Sequence, residues 1–364
     1  VTSPNERTTI RNWFEPDTVT AAASIPAVFA LLALGIWLQH PAAGAVAAGA
    51  SFSVGFGAFK RVHESPMLAM VLVALGLSFS AFVGTVAGQS ATGVLAASAV
   101  WGFTAAILPT ITPDVGWIGQ QCTIFLLVAS AFPGGFDHAA ERAILVLGGA
   151  ALQFISMGLI LRLFRRFPHG SRSLRSSARE AAAAIVGEVL SSSPAFGRAV
   201  RMALVLVLAV ELWRWFHLPN GYWLGMTVLL LVRANPGSTF WRVTERIAGT
   251  VVGAIAATLI LHTLPYPTPL WLMAVVTGLL AGIAIALQQN NRLAGRELNF
   301  PGSYASFAAF LTAYVVFLLD YGGLSPRGVA EERILLTVAG GLLAFLVHVP
   351  VEAVWQWAFS SRKT

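Results

Sequence analysis

Apolar runs of bilayer length, separated by short breaks of Pro, Gly and charged residues, organise this chain almost from end to end. A helix needs about 20 apolar residues to cross roughly 30 Å of hydrocarbon, and read at that length the pattern predicts about twelve spans in two halves of six. The spans start near Asp17, Pro41, Pro66, Ala91, Val115, Ala139, Arg198, Gly221, Trp241, Thr268, Asn299 and Gly328. The implied fold is an all-α integral membrane protein. Its halves are expected at residues 17–164 and 198–358, joined by a basic linker at 165–197, with short segments at 1–16 and 359–364.

One run is too short for its place. From Tyr222 the chain stays apolar for only about 14 residues, less than a crossing needs. Arg233 and the break Asn235-Pro236-Gly237 then interrupt it. Proline removes a backbone donor and glycine permits unusual turns. Irregular backbone at membrane depth is tolerated where it is buried in protein or lines a wet cavity. An interrupted span with a cation at its break points to an anion site.

Composition agrees with a membrane protein. Hydrophobic residues make up 56% of the chain and charged ones 11%, whereas soluble domains carry roughly 25% charged residues. The formal net charge is +7, which by itself would also suit a nucleic-acid partner. Its distribution excludes that reading. The chain start, Lys60 and Arg61, the linker, the stretch from Arg233 to Arg246, Arg292, Arg296, Arg362 and Lys363 fall on one side of the predicted layer. Arg142, Arg214, Arg327 and Arg333 fall on the other. The positive-inside rule then places both termini in the cytoplasm. No secretory signal precedes the first run, and the chain opens on Val1 rather than Met, so a trimmed start is expected. The single Cys122 leaves no intrachain disulfide and no cysteine-based zinc site. Arg165, Arg166, Arg172, Arg175 and Arg179 in the linker read as a topology anchor facing anionic lipid.

The two halves carry similar motifs. Trp37-Leu38-Gln39-His40-Pro41 matches Trp215-Phe216-His217-Leu218-Pro219 at the first tight turn of each. Glu141-Arg142 with Leu145 and Gly149 matches Glu332-Arg333 with Leu336 and Gly340. Within the later half, Glu245-Arg246-Ile247 with Thr250 and Gly253 reappears as Glu332-Arg333-Ile334 with Thr337 and Gly340, which suggests a nested inverted repeat.

Candidate chemistry concentrates in the later half. Arg242, Arg246, Thr250 and Gly253 recur at helical spacing and share a face. Gly249, Gly253 and Ala257 form a stripe of small residues that admits a neighbouring backbone. Tyr222, Trp223 and Thr227 offer aromatic walls and a hydroxyl beside Arg233. Glu245, Glu211 and Asp320 are the candidates for a proton-coupling carboxylate. Glu211 and Arg214, one turn apart, are expected to pair. Gln120 and Gln121 are polar enough to line a cavity or bond a neighbouring helix. No Walker loop, dinucleotide fingerprint or H-E-x-x-H spacing occurs, so neither an enzyme nor a cofactor or metal site is expected.

Tyr222-Trp223 through Met226-Thr227-Val228, Gly237-Ser238-Thr239, then Arg246, Gly249-Thr250 and Gly253 together resemble the fusaric acid resistance family. Arg333, Thr337 and Gly340 add a second point of likeness. That family includes bacterial aromatic acid exporters, and plant aluminium-activated malate transporters are similar at a distance. The resemblance implies a multi-pass secondary transporter of the bacterial inner membrane, driven by protons and exporting aromatic or other organic carboxylates. In that reading Arg233, Arg246 and Arg333 attract the carboxylate, Trp223 holds the ring, and Thr227, Asn235 and Thr250 line the site. Expected partners are the small organic anion and membrane lipids. The family implies a periplasmic adaptor for some members, and the glycine grooves also suit a homo-oligomer. Larger members place a sizeable cytoplasmic domain between or after their membrane halves; here only the 165–196 stretch stands between them. A passive organic-anion channel and a membrane scaffold without transport remain the alternatives.

Overall fold

The computed structural model describes residues 18–62, 66–163, 194–231, 236–265, 267–290, 303–324 and 326–360. Among them are twelve α-helices. These are α1 (Thr18–Trp37), α2 (Pro41–Gly55), α3 (Pro66–Ala87), α4 (Ala91–Ile107), α5 (Pro113–Ser130) and α6 (Phe136–Leu163). There follow α7 (Pro194–Trp215), α8 (Tyr222–Leu231), α9 (Pro236–Thr263), α10 (Leu270–Asn290), α11 (Ser303–Tyr321) and α12 (Pro326–Ser360). The linker arginines, Arg233, Asn235, Arg292 and Arg296 lie outside the described residues.

Helix starts follow local chemistry. Those at Pro41, Pro66 and Ala91 coincide with the sequence reading, and six of the twelve helices open on proline, whose fixed φ and missing N–H suit a first turn. Ser90 and Thr112 cap α4 and α5 by accepting from Gly93 N and Val115 N at 3.0 and 3.2 Å. Other starts shift by one to five residues, most at the ninth helix, which opens at Pro236 rather than Trp241.

Among the described residues seven helices are long and apolar enough to cross a membrane: α2 and α4, each with the short 3-10 turn after it, α3, α6, α9, α10 and α11. Outward faces of the bundle are apolar. Ile155 and Leu159 on α6, Val252, Ile255 and Leu259 on α9, and Leu342 and Leu346 on α12 are all exposed, at helical spacing. Stripes of that extent need an apolar surround. The protein is a multi-pass membrane protein.

Helix contacts follow a regular scheme. In the first six helices α1 packs on α2 and α6, α2 on α6, α3 on α5 and α6, and α4 on α5. The same pairs, each shifted by six, occur among α7 to α12. Between the two sets α4 packs on α7 and α1 on α10.

The turns after α1 and α7 agree in detail. Gln39 and His217 adopt positive φ of 61° and 48°. In both turns the next amide reaches back five residues, His40 N to Gly35 O at 2.9 Å and Leu218 N to Trp213 O at 3.1 Å. This is the Schellman arrangement, here with a non-glycine residue in the left-handed position. Gly149 of α6 lies against the Ala47 backbone of α2, and Gly340 of α12 lies against Leu224 O and Thr227 of α8.

Polar groups inside the bundle find partners across helices. Ser51 Oγ donates to Gln153 Oε1 at 2.6 Å, joining α2 to α6. Trp101 Nε1 donates to Ser80 Oγ at 2.8 Å between α4 and α3, and Tyr321 OH donates to Leu32 O at 2.5 Å between α11 and α1. Such bonds matter in an apolar medium because no water replaces them.

Candidate functional site

Within the described residues helix α8 has ten residues, about 15 Å of rise, half of what a bilayer crossing takes. Eight of those ten residues are buried, so the short helix is enclosed by protein on nearly all sides. It borders a cavity of about 1050 Å³ whose walls come mainly from α2, α5, α8, α11 and the starts of α7, α9 and α12, with smaller contributions from α3, α4, α6 and α10.

The cavity is arginine-lined. Arg142, Arg198, Arg201, Arg242, Arg246 and Arg333 contribute to its wall, and among the described residues no Asp or Glu does. Aromatic rings occupy much of the rest: Phe52, Trp117, Tyr222, Trp223, Phe307 and Tyr314 are all on the wall. Phe52 and Tyr314 stack with centroids 4.2 Å apart, and Tyr222 meets Trp223 edge-on at 5.4 Å.

Each arginine is held differently. Arg333, 2% exposed, donates from Nε to Thr312 Oγ1 at 3.4 Å, and its guanidinium lies 5.0 Å from the Trp223 ring centre. Arg242 stacks on Tyr304 at 3.2 Å from the ring centre. Arg246 is 3% exposed, yet its Nε and Nη1 make no hydrogen bond. Its charge acts on Arg333, so the two guanidiniums share one electrostatic neighbourhood. The start of α12 is anchored where Asn220 Nδ2 donates to Glu332 Oε2 at 2.6 Å.

Of the residues proposed from sequence for ligand contact, Arg246, Trp223 and Arg333 come together on the cavity wall. Arg233 and Asn235 lie outside the described residues. Thr227 does not reach the cavity. It is 2% exposed and sits against Gly340, because the small residue on α12 draws that side of α8 towards itself. Thr250 is fully buried beside the glycines of α9 and is not on the wall.

None of the three proposed proton-coupling carboxylates lines the cavity. Glu245 precedes Arg246 by one residue, which turns it about 100° around the helix. Glu211 pairs with Arg214 at 3.8 Å, and both side chains are substantially exposed. Asp320 is half-buried near the end of α11. Gln120 and Gln121 both line the cavity, and Gln120 Nε2 donates to Leu229 O on α8 at 3.4 Å.

Two basic residues read from sequence as side-marking charges have structural work inside the bundle. Lys60 is 2% exposed and pairs with Asp114 at 3.3 Å, with its ammonium 5.1 Å from the Trp117 ring centre. Arg142 Nη1 donates to Thr85 Oγ1 at 2.7 Å, Phe132 O at 2.6 Å and Ala129 O at 3.2 Å. It thereby satisfies carbonyls left over at the end of α5. Nothing in a linear reading separates such residues from loop charges, since burial depends on which helices meet. Arg142→Leu removes one charge-assisted donor group that serves three acceptors and should destabilise the protein by about 2–4 kcal/mol. Thermal unfolding in detergent, followed by circular dichroism, measures this; an unchanged midpoint would mean that water replaces the lost donor.

Comparison with known proteins bears on the same region. Residues 207–347 match the family described as fusaric acid resistance protein-like. This is the family that the motifs at Tyr222, Arg246 and Arg333 resemble, and the fusaric acid resistance-like segment contains α8, α9, α10, α11 and the first part of α12. The chain is 32% identical over 166 residues to uncharacterized protein YhfK of Escherichia coli strain K12, covering 45% of this chain and 21% of that protein. It is 29% identical over 171 residues to uncharacterized protein ORF2 of Neisseria gonorrhoeae, covering 47% of this chain and 37% of that protein. To the inner membrane protein YccS of Escherichia coli strain K12 it is 28% identical over 168 residues, 46% of this chain and 21% of that protein. The chain thus spans well under half the length of these relatives. No solved structure matches it.

Proposed function

We propose that this protein is a secondary transporter that moves aromatic or other organic carboxylates across a bacterial inner membrane, in the export direction and coupled to protons. The observation that carries the reading is the central cavity: six arginines and several aromatic rings on its wall, with no acidic residue among the described ones. An apolar ring needs walls it can stack on, and an anionic head needs cations already stripped of water. Arg246 and Arg333 hold the carboxylate, and Trp223 with Tyr222 bounds the ring. Arg233 and Asn235, which follow α8 in the chain, are proposed as further contacts for the carboxylate. Two six-helix halves related by an internal repeat form the frame, supported by the recurrence of helix pairs and of the turns at Gln39 and His217. The relative named as an inner membrane protein supports the location. In the same reading the linker anchors on lipid.

Flux of labelled 4-hydroxybenzoate in proteoliposomes under an imposed pH gradient tests the proposal. Saturable, gradient-dependent flux is expected, with the efficiency of Arg246→Gln reduced about tenfold to a hundredfold, the range for losing one desolvated ion pair. Absence of flux across a panel of aromatic acids would sink the substrate class. Large unitary currents in a planar bilayer would replace the carrier with a channel.

A further inference from the structure

Two buried arginines, Arg246 and Arg333, share the cavity wall, and among the described residues no Asp or Glu lines it. Arg246 is 3% exposed and Arg333 2% exposed, and each lies in the other's field. Among the described residues of the cavity wall, no neighbour supplies a negative charge. Arg333 has a hydroxyl, from Thr312, and the face of Trp223. Arg246 has two nitrogens, Nε and Nη1, without any acceptor. Glu332, the acid next to Arg333 in the chain, accepts from Asn220 and is not on the cavity wall. Glu245, the acid next to Arg246, is likewise off the wall.

Two buried like charges in a medium of low dielectric raise each other's desolvation cost. A monoanion placed between them leaves one charge uncompensated; a dianion leaves none. We infer that the preferred ligand is an apolar or aromatic dianion whose two carboxylates are shared between Arg246 and Arg333. This deepens the organic-anion reading of the cavity and rests on it. The volume, about 1050 Å³, is ample for a ring bearing two carboxylates, and the stacked pair of Phe52 and Tyr314 gives such a ring an apolar wall.

The test is equilibrium binding of labelled benzoate and labelled phthalate to the full chain in zwitterionic lipid nanodiscs, at a pH where both phthalate carboxyls are ionised. Phthalate should bind at least about tenfold more tightly than benzoate, the effect of one additional desolvated ion pair. In Arg246→Gln the advantage should fall to about twofold or less, while Arg246→Lys retains part of it because the charge remains. Equal affinity of the wild-type protein for the two acids would overturn the dianion inference and leave the anion site standing. Binding of neither acid would overturn the underlying reading as well. An undiminished phthalate advantage in folded Arg246→Gln would remove the Arg246 and Arg333 pair from the site. The wild-type comparison decides the main point even if a variant fails to fold.

Discussion

Arg246→Met should raise the thermal stability of the ligand-free protein while reducing anion flux by about tenfold to a hundredfold. The two signs follow from the same geometry. Arg246 is enclosed, two of its nitrogens lack acceptors, and Arg333 repels it. Replacing a buried, unpaired charge with an apolar side chain of similar length removes a desolvation cost and a repulsion, a gain of about 1–4 kcal/mol in comparable replacements. A residue kept at such a cost is one whose partner arrives from outside, and binding sites commonly trade stability for function in this way. Unfolding midpoints in detergent without added anion, read beside proteoliposome flux, measure both effects. A lowered midpoint would show that Arg246 supports the fold rather than the ligand. The contrast with Arg142, whose three donations bind helices together, provides an internal reference.

Gly253→Leu should cost more stability than any other single change considered for this molecule. A Cβ at Gly253 would overlap the carbonyl oxygen of Ala309, and one at Gly249 would overlap that of Ala305, so α9 and α11 touch backbone to backbone there. A helix cannot move away from its partner at one position without opening the whole seam. Overpacking a tight core typically costs about 1–3 kcal/mol, and here the obstacle is main chain rather than a side chain that can rotate, so the loss should exceed that range. Gly148→Leu on α6 is the control, because a Cβ there meets nothing. Folded yield and unfolding midpoint should drop sharply for Gly253→Leu and hardly change for Gly148→Leu. Similar values for the two would mean that the α9 to α11 seam is adaptable.

Much of the architecture is legible along the chain because its signals are local. Proline at a first helical position and Ser or Thr at a cap act within a few residues, and the starts at Pro41, Pro66 and Ala91 coincide with expectation. The shortness of α8 is visible in the same way, since Tyr222 to Leu231 simply lacks the apolar length. Gly249 and Gly253 announced a close approach by their spacing, and α11 is the helix that takes it. The family likeness rested on residues that fall within the matched stretch 207–347.

What a linear pattern leaves open is which neighbour a side chain meets. Thr227 reads as equivalent to Trp223, one turn earlier on α8, yet Gly340 claims the former and the cavity the latter. Lys60 and Arg142 look like ordinary boundary charges, yet Asp114 receives one and the end of α5 the other. Glu245 and Arg246 are adjacent in the chain, but the helix turns them to different surroundings. Local pattern therefore settles that this is a helical membrane protein with arginines close to its eighth helix in the chain, because hydrophobic length and backbone chemistry act over a few residues. The packed bundle alone decides that six of those arginines share one cavity with no acid among the described residues of its wall. Charge burial is a property of helices far apart in sequence, and it is set only when they close on one another.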